Sequence, residues 1–515
     1  MTGLARALPA RPSLRHLKVE ARRRVKSGEF PALYEAQLAI AREHGQPSWT
    51  ALKELVCGDP RLESRALSQL NWISSRFADA DAPGWAAPDD QELRLHFHDD
   101  FLASVGVAKL TEIIAAMAAD LREKWVVANI SPLTAQVKLA GWQVHAFADA
   151  QPPYRLKAVN RFPLGRQITD PRVAAPVTHT SGAVPAAVNR VAAEAFTELG
   201  LPGLVLAGSS PAGARPGGPA WLLARGWSDL GSASFLGTGH RFPVYFVTHL
   251  FTAMAVLRLV AVGRVGLDAP ANDYLRTVRL ADDAVTVREL LAHTGGVNDP
   301  ARIFAERTPD LVTHVGSVLS CGGERGVFRV SSGGSAALGQ LAADITGLPY
   351  PDAMTRLVFG PLGMTGSSFP LSWPRDKAVA GYIVRPDGDG TFTPVQPRVS
   401  CLQAAGGLWT TAADLVRFGV GWKSLLTEPL AREVLRPQTA GGPIRGQDFG
   451  LGWALSQRGD GVRTAASGPG ASASLIVRDP ARPGGCPQVL VALTNRRIPI
   501  EPLNVRVLRA CGQRE

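Results

Sequence analysis

A chain of 515 residues with 45% hydrophobic and 19% charged side chains has an ordinary globular balance and is too long for one core, so two or three domains are expected. Its formal net charge of +11 is uneven: residues 1–26 hold eight Lys/Arg against Glu20 alone. A solvated tail accounts for that cluster; no aromatic residues interleave with its arginines, which argues against a nucleic-acid partner. The most apolar stretch, 242–263, is interrupted by His249 and Arg258, so no membrane span is expected. The basic start has no apolar core behind it, which points to a cytoplasmic protein without a secretion signal. The five cysteines are scattered, with no metal-ligand spacing and no disulfide framework, and no cofactor or metal is expected.

In chain order, residues 13–57 carry apolar positions at helical spacing, punctuated by Pro31 and the HGQPSW turn, and predict a helical leader over 1–60. The Pro/Ala/Asp-rich stretch 79–90 is a break. A helix over VAKLTEIIAAMAADLREKW and alternating segments in VVANIS, AQVKLAGWQVHAFAD and YRLKAVNRF then predict one helix on a small antiparallel sheet. His96 and His98 would share a face of a strand, a spacing known from metal sites, but no third ligand is evident and a solvated strand end explains them better. The pattern over 61–168 resembles the steroid-isomerase-like (NTF2-like) domain, which precedes a β-lactamase-like domain in clavulanate-cluster proteins.

Residues 170–188 have the Pro, Gly, Ser and Thr content of an interdomain linker. Beyond it a helix over 185–199 leads into strands GLVLAGSS and WLLARGW. A long apolar helix follows within FPVYFVTHLFTAMAVLRLVAVGRVGLDAP, then VTVRELLAHTGGVND, LVFGPLGMTGSSF, AAGGLWTTAADLVRFG, FGLGWAL and the closing strands in SASLIVRDP and PQVLVALTN. These segments, in this order, resemble the β-lactamase/penicillin-binding-protein superfamily of serine hydrolases. The resemblance implies an α/β domain over 169–515, an antiparallel sheet flanked by helices. The fold class is therefore multidomain α+β.

The same resemblance places the family's three catalytic motifs, and each is altered at its reactive member. Where the family carries Ser-x-x-Lys, this chain has Phe246, Val247, Thr248 and His249. Where it carries Tyr-x-Asn, this chain has Val330, Ser331 and Ser332; where it carries Lys-Thr-Gly, Thr464, Ala465 and Ala466. Acyl-enzyme formation needs a nucleophilic oxygen and a base, and a phenylalanine ring supplies neither. His249 is the candidate acid/base, with Ser331 or Ser332 as a partner hydroxyl. Tyr245 and Phe246 are expected as aromatic walls, and Val330, Thr464, Ser467 and Arg241 as further contacts to a small-molecule ligand. His293, in the LAHTGG turn, reads as a loop-shaping residue. Three functions follow: a repurposed enzyme doing non-covalent acid/base chemistry such as cyclisation, isomerisation or hydrolysis in secondary metabolism; a non-catalytic pseudoenzyme binding a small molecule or protein partner; or activity in the steroid-isomerase-like domain.

Overall fold

Alternation of apolar residues along the strands, and where each face finds cover, explains the architecture. The computed structural model describes residues 20–25, 27, 29–30, 32–43, 64–77, 85–116, 126–131, 134–139, 142–149, 153–163, 176–210, 217–384, 391–439, 448–455, 461–478 and 487–512. The chain divides into two units, Met1–Phe162 and Pro163–Glu515.

In the first unit, residues 20–25 and α1 (Leu33–Glu43) are helical, and Arg24 ties them together through Glu20 and Glu43. The rest of the expected leader lies outside the described residues. Helices α2 (Arg65–Phe77), α3 (Asp90–His96), α4 (Asp99–Val105) and α5 (Val107–Ala116) precede a four-stranded sheet. Its strands β1 (Val126–Ser131), β2 (Thr134–Leu139), β3 (Trp142–Ala148) and β4 (Leu156–Pro163) lie in sequence order. Ala135 pairs with Ala146 and Val137 with Val144, so the period-two pattern puts all four on one face. Leu67, Leu70 and Ile73 of α2 bury that face, and Leu93, Phe97, Leu102 and Leu110 extend the same core. Several helices therefore do the work the sequence pattern gave to one.

His96 and His98 are not on a strand. His96 ends α3, where its ring stacks on Trp72 (centroids 3.5 Å apart) and Nδ1 sits 2.7 Å from Gln69 Oε1. His98 turns instead to Asp149, Nε2 to Oδ2 3.5 Å. Among the described residues no cluster of three or more His, Cys, Asp or Glu gathers as a metal site. No helix among them is long and apolar enough to cross a membrane.

The second unit opens with β5 (Thr178–Gly182), which lies inside the stretch that reads as a linker. Its polar composition fits an edge strand: it pairs only with β7 and four of its five residues are exposed. Then come α6 (Ala186–Glu198), β6 (Gly203–Gly208), β7 (Trp221–Asp229), α7 (Thr248–Ala261), α8 (Val287–Leu291), α9 (Ser332–Thr346), α10 (Ala412–Gly421), β8 (Gly461–Gly468), β9 (Ala471–Arg478), β10 (Val489–Thr494) and α11 (Glu501–Gly512). The sheet runs β8-β9-β10-β6-β7-β5, antiparallel at every pair, and the short strand Ser234–Phe235 adds to β7.

Its central strands are apolar on both faces, as burial on two sides requires. Val205, Ala207, Val489, Val491 and Leu493 face the core that contains α7 and α10. Leu204, Leu206, Leu490 and Ala492 face α6 and α11. Helix α7 is buried from Thr248 through Leu257, with Phe251 packed on Phe418 at 4.1 Å between centroids. A helix apolar all round belongs in a core, and this one forms its centre.

Arg496 closes the C-terminal end of α6. Its guanidinium, 2% exposed, donates to Leu199 O (2.6 Å) and Gly200 O (2.8 Å), where the helix leaves carbonyls unpaired. Arg496→Ala leaves these acceptors without their donor and opens a cavity, a loss of about 3 kcal/mol, with each unsatisfied carbonyl worth ~1–3 kcal/mol. A urea melt of the variant should show the midpoint falling; an unchanged midpoint rejects the cap.

Candidate functional site

The site is built at the N-terminal end of α7. A 3-10 turn, Tyr245–Val247, feeds the helix, and its first residue adopts φ +45°, an unusual backbone for a tyrosine. Tertiary contacts hold it there. The Tyr245 ring lies against Gly468, where a Cβ would come within 2.5 Å of the ring, and its hydroxyl donates to Pro469 O (2.5 Å). Burial raises the Tyr245 hydroxyl above its ordinary value, so it serves as a neutral peg under the end of β8. Thr248 Oγ1 accepts the Leu408 N–H at 3.2 Å, and Thr252 Oγ1 donates to Ala404 O at 2.6 Å, anchoring α7 to the 404–408 loop.

A cavity of about 370 Å³ lies at the edge strand β8, lined on the α7 side by Phe246, His249, His293, Val330, Phe449 and Thr464 and on the α11 side by Ile476, Glu501, Asn504 and Val505. Phe246 is 39% exposed and stands edge-on to the His249 ring, 5.2 Å between centroids. Val330, also exposed, forms part of the same mouth. Thr464 lies on β8 with the parity of Val462 and Ala466, which face the core around α7. Its Oγ1 is buried without a hydrogen-bond partner.

His249 is 7% exposed and His293 6%. Their rings meet at 3.4 Å, Nδ1 of His249 to Nε2 of His293. His293 sits in the turn after α8, itself started by a Thr286–Glu289 capping box, with φ +57°. Its Nδ1 accepts the Ser331 N–H at 3.3 Å. Burial pushes His293 down to about 4 and His249 well below the ordinary imidazole value; the neighbouring His293 adds to the second shift, and the nearby Ala405 carbonyl opposes it. Both rings are neutral at neutral pH. Nε2 of His249 has no hydrogen-bond partner.

Ser331 and Ser332 start α9. The Ser331 hydroxyl donates to Val297 O (2.8 Å) and accepts the Gly334 N–H (2.8 Å), a side-chain N-cap. Asp299 Oδ1 accepts the N–H groups of Ser332 (2.5 Å) and Gly333 (3.0 Å). Ser467 pairs with Ser472 Oγ (2.8 Å) and reaches Ile498 O, on the opposite parity of β8 from Thr464. Arg241 donates to Asp376 O and bridges to Ala378. Of the residues picked from sequence, Phe246, His249, Val330 and Thr464 line the cavity; Tyr245, Ser331, Ser332, Ser467 and Arg241 are not among the lining residues. His293, read from the sequence as loop-shaping only, and Phe449, which the sequence did not single out, do line it. The positive φ that a histidine tolerates in LAHTGG explains a turn, and nothing local announces the contact with His249.

Residues 188–509 match the Beta-lactamase family model, and the chain belongs to that family. Esterase EstB of Burkholderia gladioli is 27% identical over 287 residues, 47% of this chain and 72% of EstB. Penicillin-binding protein 4 of Amycolatopsis lactamdurans is 27% identical over 255 residues, 45% of this chain and 67% of that protein. The Bacillus subtilis protein PbpX is 28% identical over 167 residues, 32% of this chain and 42% of its own length. Among solved structures, EstCE1, a hydrolase with promiscuous acyltransferase activity, superposes with a TM-score of 0.50 at 18% identity, covering 64% of this chain and 98% of that one. The D-amino acid amidase from Ochrobactrum anthropi SV3 gives 0.50 at 20% identity, covering 63% and 97%. These two likenesses show a shared fold: an antiparallel sheet with helices on both faces.

The buried imidazoles make stability depend on pH with a definite sign. The unfolded chain takes up a proton near the ordinary imidazole value of about 6.5, whereas folded His293 refuses it down to about 4. Stability from this ring is complete above about 6.5 and is lost as pH falls toward 4, a total of roughly 3 kcal/mol. Urea midpoints measured across that window should fall more steeply for the wild type than for His293→Asn, which tolerates the left-handed backbone. Parallel slopes would contradict the assignment.

Proposed function

We propose that the second unit binds a small molecule non-covalently in the cavity beside Phe246 and forms no acyl-enzyme. Members of this family include esterases, amidases and penicillin-binding proteins. The reading rests on equating Phe246 and His249 with the family's serine and lysine positions at the start of the buried helix. One observation carries it: the group at 246 is a hydrocarbon ring, and the group at 249 is a neutral, desolvated imidazole whose Nδ1 faces His293. Ser331, a hydroxyl that the sequence pairs with His249, donates to Val297 O and accepts the Gly334 N–H, so it is committed to its helix cap. The lining is mostly apolar, with Phe246, Leu250, Val330 and Phe449 around few polar groups, and the volume suits a small ligand.

These features favour binding over acid/base turnover, because a base with a strongly lowered pKa is a poor proton acceptor at neutral pH. The meander β1–β4 with α2 across it supports reading the first unit as a steroid-isomerase-like domain, carried alongside rather than supplying the site.

The test is covalent labelling. Incubated with a fluorophosphonate or a penicillin and read by intact mass, the protein should keep its unmodified mass. An adduct mapped by peptide sequencing to any residue of 163–515 would refute the proposal.

A further inference from the structure

We propose that the second unit carries a second ligand site, a cavity of about 550 Å³ between α9 and the 401–404 segment, which takes a neutral aromatic molecule through an N–H donor to Gln403 Oε1. It shares no lining residue with the cavity beside Phe246, so it stands or falls apart from the binding reading above.

The walls are well fixed. On α9, Ala336, Gly339 and Gln340 share one face by their three- and four-residue spacing, and all three line the cavity. The helix comes close to the 401–404 segment at Gly339, where a Cβ would lie 2.3 Å from Ala404 Cβ. That segment is tied down at both ends. The Cys401 N–H donates to Ile303 O (2.7 Å), and Ala404 O accepts the Thr252 hydroxyl of α7 (2.6 Å). Gln403, between them, therefore starts from an ordered backbone, which lowers the cost of holding a ligand. The aromatic side of the cavity is Tyr350 set edge to face with Phe369, 4.9 Å between centroids. The Tyr350 hydroxyl is already paired with Thr252 Oγ1 (2.7 Å), which leaves its ring as apolar surface. Leu371, an exposed leucine, lines the same space.

The polar groups decide what such a ligand must carry. Gln403 Nε2 donates to Phe369 O at 3.2 Å; a carbonyl can only accept, so the amide oxygen is the end left over. Gln340 repeats the arrangement, with Nε2 on Asp344 Oδ1 at 2.8 Å, a carboxylate whose other oxygen collects the N–H groups of Arg276 and Thr277. Neither glutamine Oε1 has a hydrogen bond among the described residues, and neither is shut into the core. Both amides thus have an acceptor to offer, and a ligand that meets one needs a donor. The charged side chains of the lining, Arg307 and Asp310, are opposite in sign, so the wall gives an ion no net counter-charge. A flat aromatic body with a neutral N–H, as in an indole, matches the aromatic side and the free acceptor together.

The probes are indole and benzofuran, matched in shape and differing by N–H against O. In ligand-observed NMR titrations of the full chain, indole should bind the wild type about tenfold more tightly, the worth of one hydrogen bond. In Gln403→Met that ratio should fall to about one, with benzofuran affinity unchanged as the sign of an intact cavity. Leu371→Trp, which adds bulk at an exposed lining position, should weaken both probes. Equal affinities in the wild type, or a preference for indole that survives Gln403→Met, overturn the donor inference. Binding untouched by Leu371→Trp, or absent for both probes at about 10 mM, the range of a weak fragment, overturns the site.

Discussion

Burial of α7 on every side is the constraint from which the site's chemistry follows. From Thr248 to Leu257 the helix packs on α9 and the 403–406 turn, with Phe251 against Phe418 and Ala253 against Gly452, and has no solvated face on which to place a charge. A titratable group at its second position is therefore held in its neutral form. His249 meets that demand because an imidazole can lose its charge and keep a donor and an acceptor. The same burial that organises the core holds a residue which titrates near neutrality in water in its uncharged form.

The polar groups around it show a division of labour. Ser331, Ser332 and Gly333 are engaged through Val297 O, Gly334 and Asp299 in starting α9, and Gly333 is required where a Cβ would meet the Asn298 carbonyl at 2.1 Å. Tyr245 holds the turn beneath β8. Such groups build the wall, and His249 Nε2 and Thr464 Oγ1 are buried in it without hydrogen-bond partners. The esterases, amidases and penicillin-binding proteins of this family share the frame; in this chain the frame carries an aromatic ring at the helix entrance.

Most of the second unit was legible in the chain. The segments GLVLAGSS and PQVLVALTN were read as strands, and strands form at 203–208 and 489–494, while the α6 pattern placed its helix within a residue of the observed bounds. The edge strand Thr178–Gly182 was not, because an edge needs no apolar face and its polar residues resemble a linker. His96 and His98 misled for a related reason: alternation suggested a strand, while Asp89 capping and contacts to Trp72 and Gln69 made a helix end.

What the sequence alone determined was whatever depends on neighbours along the chain: the strand and helix periods, the family order of segments, and the absence of a hydroxyl at 246. The neutral, desolvated state of the site's two imidazoles was decided only by the tertiary structure. It needs Ser331, His293 and His249 brought together from 38 and 44 residues apart, and a surrounding core that removes water from all three. No local pattern encodes that meeting, since each of the three residues has an adequate local explanation, as a cap, a turn and a helix position, until the fold puts their polar atoms in line.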